Sequence, residues 1–449
     1  MNLFFAEFAS LMWGPWLLIL LLGVGFWLTF RLDGIQFRNL FYALRLTFSK
    51  ERAGEGDVSH FGALMTALAA TVGMGNIAGV STAVALGGPG AIFWMWMTGL
   101  VGMATKYSES FLAVKYRQVN EHGEICGGPM YYLEHGLGQK WLGVCFAIFG
   151  ALAAFGIGNM IQANTAAAAV VESLGTSKFL VGIVLSVLTG MVIIGGIKRI
   201  ADVASYFVPF MVAIYFVGAL IVIFSHLDQL GVGIKLIFEH AFTGTAATGG
   251  FIGANLARTI RYGVARGLFS NESGMGSAPI AAAAAKTNQP AKQALVSMSG
   301  TFLDTLVVCS LTALALASTG VWVSGETGVT LTLQAFSEGL PGNWGHFIVT
   351  LSAVTFAFST ILAWEYYGEK CFEYLFGDKW VHFYRYLWVL FVFIGSIVKL
   401  EVVWNFSDAM NALMAVPNLI GLVLLSGVLF RETKAYEMGI RDGSIDKFD

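Results

Sequence analysis

Long apolar runs, interrupted by short polar or charged stretches, fill this chain from end to end. A helix needs roughly 20 apolar residues to cross the hydrocarbon of a bilayer. Eleven segments meet or approach that length: 12–30, 60–86, 90–117, 139–172, 179–197, 202–224, 248–286, 289–319, 343–367, 380–400 and 409–430. Several exceed it, so those helices must tilt, break or project beyond the lipid. Two other stretches, Ile35 to Phe48 with Arg38 and Arg45, and Asp228 to Phe242, have the amphipathic pattern of helices lying at an interface. The apolar stretch from Trp13 to Phe30 is too long for a signal-peptide core and no A-x-A site follows it, so it is expected to stay as an anchor.

Composition sharpens this into an all-α polytopic membrane protein. Hydrophobic residues make up 56% of the 449 and charged residues only 12%, about half the share a soluble domain carries. The net charge of -2 offers no basic face to nucleic acid. Cys126, Cys145, Cys309 and Cys371 lie far apart, in no metal-ligand spacing, and read as small apolar residues. The seven histidines form no H-E-x-x-H and no G-x-S-x-G occurs, so no catalytic residue and no cofactor is expected. A channel would call for a selectivity filter or charged ring.

Lysine and arginine set the expected orientation. Arg31, Arg38, Arg45, Lys50 and Arg52 mark the first loop as cytoplasmic. Alternating from there places Lys115, Arg117, Lys140, Lys198, Arg199, Lys286, Lys292, Lys370, Lys379, Arg431, Lys434, Arg441 and Lys447 inside. Only Lys178, Lys235 and Lys399 fall outside, with the N-terminus outside and the C-terminus in the cytoplasm. Compact loops fit the inner membrane of a prokaryotic cell.

Two spans contain helix-weakening runs at mid-membrane depth, where unpaired backbone is most costly. The second reads Ala70-Thr71-Val72-Gly73-Met74-Gly75-Asn76-Ile77-Ala78-Gly79, and the seventh Phe269-Ser270-Asn271-Glu272-Ser273-Gly274-Met275-Gly276-Ser277-Ala278-Pro279. With the expected span count, the two run in opposite directions. That is the arrangement of a five-plus-five inverted repeat behind one extra anchor. The expected parts are an anchor with interfacial helix over 1–59, a first repeat over 60–224, a second over 248–430 and a tail over 431–449. Broken helices present amide groups to a carboxylate and free carbonyls to a hard cation. The alternative is a pair of glycine-rich packing faces.

At Val72-Gly73-Met74-Gly75-Asn76 the sequence is similar to the first broken helix of the neurotransmitter:sodium symporters. More widely, Met65 to Gly90, Lys106-Tyr107, Gly127-Gly128-Pro129-Met130-Tyr131, Phe269 to Lys286, Gly300 to Thr305, Tyr366 to Cys371 and Pro417-Asn418-Leu419-Ile420-Gly421 resemble the alanine/glycine:cation symporter family. The resemblance covers nearly the whole chain. It implies uptake of alanine or glycine coupled to sodium or, alternatively, to protons, on the inverted-repeat fold of the bacterial leucine transporter. It also implies a sodium site made by the carbonyls of Ala69, Val72 and Phe356 with the hydroxyls of Ser359 and Thr360. Those hydroxyls otherwise bond back to their own helix.

For a substrate carboxylate, the amides of Gly73, Gly75 and Asn76 are candidates. For the ammonium, carbonyls near Thr71 and Phe269 and the side chains of Gln162 and Asn164 are candidates. Phe155, Phe269 and Trp364 are expected as walls. Glu272, an ionisable residue within a span, either meets the ammonium, carries a coupling proton or caps the half-helix after it. Asp304 poses the same question. Lys106 and Glu109, at i and i+3, read as a local ion pair near the cytoplasmic face, and Arg258, Arg261 and Arg266 as lining an outer vestibule or gate.

Overall fold

The computed structural model describes residues 2–49, 54–243, 252–398 and 401–445. The predicted span limits at 248 and 400, and Lys50, Arg52, Lys399 and Lys447, lie outside the described residues. Every predicted span coincides with helix. In chain order the helices that matter are α1 Asn2–Met12, α2 Pro15–Arg31, α3 Ile35–Leu46, α4 His60–Thr71, α5 Val80–Gly87 and α6 Gly90–Lys115. There follow α7 Lys140–Ala153, α8 Ile161–Leu174, α9 Lys178–Ile193, α10 Gly196–Ser225, α11 Leu227–Thr243, α12 Ile252–Asn271 and α13 Pro279–Ala283. The last are α14 Pro290–Thr301, α15 Ser310–Thr319, α16 Gly328–Gly339, α17 Trp344–Phe376, α18 Val381–Ile397 and α19 Glu401–Asp442. The predicted interfacial stretches are α3 and α11. Among the described residues the only sheet is a hairpin, β1 Gln118–Val119 against β2 Ile125–Cys126.

Among the described residues, seven helices are long and apolar enough to cross a membrane, or eight if α4 and its bent continuation to Gly87 count as one. The expected eleven crossings are therefore not all established by length and apolarity. The reasons are local. Helix α9 has only 16 residues, though it offers Phe179, Ile183, Val187 and Met191 outward as lipid would require. Helix α6 carries Lys106 and Glu109, yet it is buried from Val101 to Val114 between α12 and α14. Its solvent is protein rather than lipid, and charge is tolerated there. Two features departed from the apolar pattern. Helix α16 has no counterpart among the predicted spans, and α19 continues through Pro417 to Asp442 with no structural break where the tail was expected to begin.

Three spans widen into π-turns, at Gly75–Gly79 after α4, at Ala154–Met160 between α7 and α8, and at Phe302–Cys309 between α14 and α15. Such turns frequently sit at functional sites. The far end of the second broken span is tied down by a strap. Val58 forms a parallel bridge with Ala285, and Arg117 donates to the carbonyls of Glu55, Ala283, Ala285 and Thr287 at 2.7–2.9 Å.

Candidate functional site

The first break is small and satisfied from within. Helix α4 stops at Thr71, and the chain resumes as helix from Gly75 with a bend of 50°. The Gly73 amide would ordinarily donate to the Ala69 carbonyl, but here it donates to Asn76 Oδ1 at 2.8 Å, and the Asn76 amide donates to the Gly73 carbonyl at 3.1 Å. One asparagine thus breaks the helix and releases a carbonyl. Thr360 takes it up: its Oγ1 lies 3.2 Å from the Ala69 carbonyl and 2.9 Å from the Phe356 carbonyl. Ser359 Oγ is 2.9 Å from that same Phe356 oxygen. Glycine is required at 73, because a Cβ there would sit 2.8 Å from Thr360 Oγ1.

The structure therefore joins Ala69, Phe356, Ser359 and Thr360 through hydrogen bonds. Ser359 bonds back to its own helix, whereas Thr360 also reaches across to α4. A hydroxyl has one proton and two lone pairs, so Thr360 cannot donate to both carbonyls at once.

The second break is longer and satisfied from outside. Helix α12 ends at Asn271, and regular helix does not return until Pro279. Glu272 has φ 55°, and Gly274 and Gly276 have φ 91° and 82°, a left-handed conformation that favours glycine. The freed amides of Gly274 and Gly276 both donate to Glu109 Oε1 at 3.0 Å. Asn418 Nδ2 joins that oxygen at 2.7 Å and the Gly274 carbonyl at 2.8 Å, and Tyr132 donates to Asn418 Oδ1. Glu109 is thus the anion that this break holds. The expected ion pair with Lys106 is not formed. Lys106 Nζ is buried without a hydrogen-bond partner.

Glu272 does not cap the following half-helix through backbone amides. Its carboxylate folds across the break, accepting from Ser277 Oγ at 2.5 Å and from Trp364 Nε1 at 3.0 Å. Asp304, on the third π-turn, links the two breaks. Asn76 Nδ2 donates to its Oδ1 at 2.7 Å, and Ser270 Oγ and Thr305 Oγ1 donate to its Oδ2 at 2.9 and 2.8 Å. A Cβ on Gly75 would lie 3.1 Å from Ser270 Cα, so the breaks touch directly.

The predicted substrate residues divide. Thr71, Gly73, Gly75, Asn76, Glu272 and Trp364 lie in or against the breaks and are buried. The amides of Gly73 and Asn76 are already engaged, so they are not free for a carboxylate in this conformation. Gln162 Nε2 donates to the Ile157 carbonyl within its own helix at 3.0 Å, while its Oε1 is buried with no donor. Two residues face elsewhere. Phe155 packs on Tyr384, Trp388 and Phe391 with ring centroids 5.0–5.4 Å apart. Asn164 ties α8 to α18 through the carbonyls of Gly395 and Val398 at 2.9 Å. Phe269 is half-buried, stacks under Arg266 at 5.7 Å and, with Arg261 and Asp408, lines a 270 Å³ cavity roofed by α1. Arg258 does not line it.

Sequence reasoning missed the roles of Glu109, Asn418 and Asp304. Each carried a usable signal, an ionisable or amide side chain within a span, but their partners lie 165, 144 and 228 residues away.

Comparisons with known proteins agree with this architecture. The crystal structure of MhsT in complex with L-phenylalanine superimposes with a TM-score of 0.60 at 13% identity, covering 84% of this chain and 90% of that one. That likeness is one of fold alone. The sodium/alanine symporter AgcS of Methanococcus maripaludis is 53% identical over 438 residues, 95% of either chain. A protein of Bacillus subtilis described as "Probable sodium/glutamine symporter GlnT" is 39% identical over 430 residues, 95% of this chain and 89% of its own. The family model for the sodium:alanine symporters matches residues 1–449, and the chain belongs to that family.

Proposed function

We propose that the protein is a multi-pass symporter that carries a small neutral amino acid, alanine or glycine, into the cell together with sodium, by alternating access. The observation that carries this reading is the oxygen cluster at the first break, where Asn76 frees the Ala69 carbonyl to meet the Thr360 hydroxyl, which also reaches the Phe356 carbonyl. The cation would be cargo. It would be held by the carbonyls of Ala69, Val72 and Phe356 and the hydroxyls of Ser359 and Thr360, all uncharged oxygen ligands suited to a hard ion.

For the substrate, Gln162 Oε1 is a buried acceptor with no donor, which an ammonium would satisfy. Glu272, held by Trp364, is a second. Trp364 and Phe269 would bound the side chain, where an extra methylene is excluded by clash rather than by about 1–3 kcal/mol of lost contact. Opening of the break would expose the Gly73 and Gly75 amides to the carboxylate. We assign the two five-helix repeats to 60–224 and 248–430, with the N-terminus outside and the C-terminus inside. One sodium suffices energetically: a charge crossing 100 mV releases about 2.3 kcal/mol, and a tenfold gradient adds roughly 1.4 kcal/mol.

The test is uptake of labelled alanine into proteoliposomes under an inward gradient of sodium or, separately, of protons. Sodium-dependent accumulation that collapses in a Ser359→Ala, Thr360→Ala double variant supports both the symport and the ion site. Accumulation driven by protons alone removes the sodium site and turns attention to Glu272.

A further inference from the structure

Helix α6 carries two ionisable residues in its fully buried stretch, and their situations differ. Glu109 is occupied by Gly274, Gly276 and Asn418. Lys106, one turn earlier, is 3% exposed, and its Nζ makes no hydrogen bond or ion pair with any described residue. It faces a cavity of about 10 Å³ between the two breaks, lined by Thr71 from the first, Asn271 and Ala278 from the second, and Ser297 and Thr301 of α14. That volume holds one water at most.

An ammonium taken out of water costs several kcal/mol unless its surroundings return the energy. Here the surroundings are oxygen-rich. The carboxyl groups of Glu109, Glu272 and Asp304 each bond to residues of the two breaks, and none of them forms an ion pair with Lys106. Thr71, Asn271, Ser297 and Thr301 supply hydroxyl and amide oxygens, the ligand chemistry of a hard monovalent cation. Three carboxyl groups gathered at two unwound helices call for a cation, and the chain provides one on a tether.

We propose that the Lys106 ammonium is a resident cation wedged between the two breaks, where a second mobile sodium ion would otherwise have to bind, so that one travelling sodium is enough to couple transport. The inference rests on the sodium-symport reading above.

The experiment is a paired flux measurement in proteoliposomes, labelled sodium against labelled alanine, with the sodium Hill coefficient taken from initial rates. Wild type and Lys106→Arg are expected to move one sodium per alanine with a Hill coefficient near one. Lys106→Ala opens the cavity to a mobile ion, and its sodium-to-alanine ratio and Hill coefficient are expected to rise toward two. A wild-type ratio of two overturns the proposal, as does a folded Lys106→Ala protein that keeps ratio and Hill coefficient at one. If Lys106→Ala cannot be recovered folded, a ratio of one retained by wild type and Lys106→Arg sustains the proposal, and any other ratio in wild type ends it. Failure of the underlying reading is distinguishable, because wild type would then show no sodium-driven uptake at all.

Discussion

The two breaks solve the same problem, unpaired backbone far from water, in opposite ways. The first is closed by its own residue: Asn76 accepts from Gly73 and donates to its carbonyl, three residues away along the chain. The second is closed by strangers. Glu109 on α6 and Asn418 on α19 hold the Gly274 and Gly276 backbone, and neither is within 140 residues of it in sequence. A locally satisfied break can open and re-form without disturbing its neighbours. A break whose glycine amides are held by other helices reports the position of those helices, because the bonds at Gly274 and Gly276 are tertiary ones. The first has the character of a hinge with an ion site on it, and the second that of a latch between bundles.

Removing the latch should produce the largest effect. Glu109→Ala leaves two buried amides and the Asn418 amide without their shared acceptor, each at a cost on the order of 1–3 kcal/mol. The expected outcome is poor recovery of folded protein and a large fall in thermal unfolding temperature in detergent. Glu109→Gln keeps one acceptor oxygen and should lose only about 1–2 kcal/mol. If Glu109→Ala unfolds at the wild-type temperature, the second break is not held from outside.

Asn76→Ala should separate stability from function. Without the side-chain acceptor, the Gly73 amide can return to the Ala69 carbonyl and heal the helix, so the loss of stability should be confined to the missing bond to Asp304, about 1–3 kcal/mol. The same repair takes Ala69 away from Thr360. Under the sodium-symport reading, the sodium concentration for half-maximal uptake should then rise at least roughly tenfold, equivalent to about 1.4 kcal/mol. A variant whose sodium dependence is intact would mean that the Ala69 carbonyl takes no part in holding the ion.

What could be read in the sequence follows the same division. The first break and the glycine-rich second break were legible, because local composition announces a helix that cannot continue, whereas the partnership of Thr360 with Ala69 came only from the family resemblance. Glu272 was found, but not its bonds to Ser277 and Trp364. The ion pair expected of Lys106 and Glu109 did not form because the Glu109 carboxyl group is taken by the Gly274 and Gly276 amides and Asn418, partners far away in sequence. Phe155 and Asn164 were drawn toward the site by a polar, glycine-rich run, Gly156 to Asn164, whose structural expression is the π-turn Ala154–Met160. A π-turn rotates the residues after it, so helical spacing no longer tells which of them share a face.

Contact between the breaks is tested at Gly75. An alanine Cβ there would lie 3.1 Å from Ser270 Cα and 3.3 Å from its Cβ, tight enough to push the breaks apart by a few tenths of an ångström. Overpacking of this kind costs about 1–3 kcal/mol. Gly75→Ala should therefore lower the unfolding temperature modestly and weaken alanine uptake. An unchanged protein would show that the breaks can separate freely.

Gly79 is the control at the same break, and the smallest effect is expected there. It lies on the same π-turn, one helical turn beyond Gly75, with helical dihedrals of φ -65° and ψ -47°. A Cβ added to it would meet nothing within 4 Å. With no clash and no left-handed requirement, alanine should act only through the chain entropy that glycine costs a helix, a gain of about 0.5–1 kcal/mol. Gly79→Ala is expected to raise the unfolding temperature by roughly 1–2 °C for a chain of this size. What it does to uptake decides what kind of hinge the first break is. If uptake is unchanged, motion is confined to the two residues before Gly75, where Asn76 closes the gap. If the variant is more stable but slower, the π-turn itself must flex during transport, and the hinge extends from Val72 to Gly79.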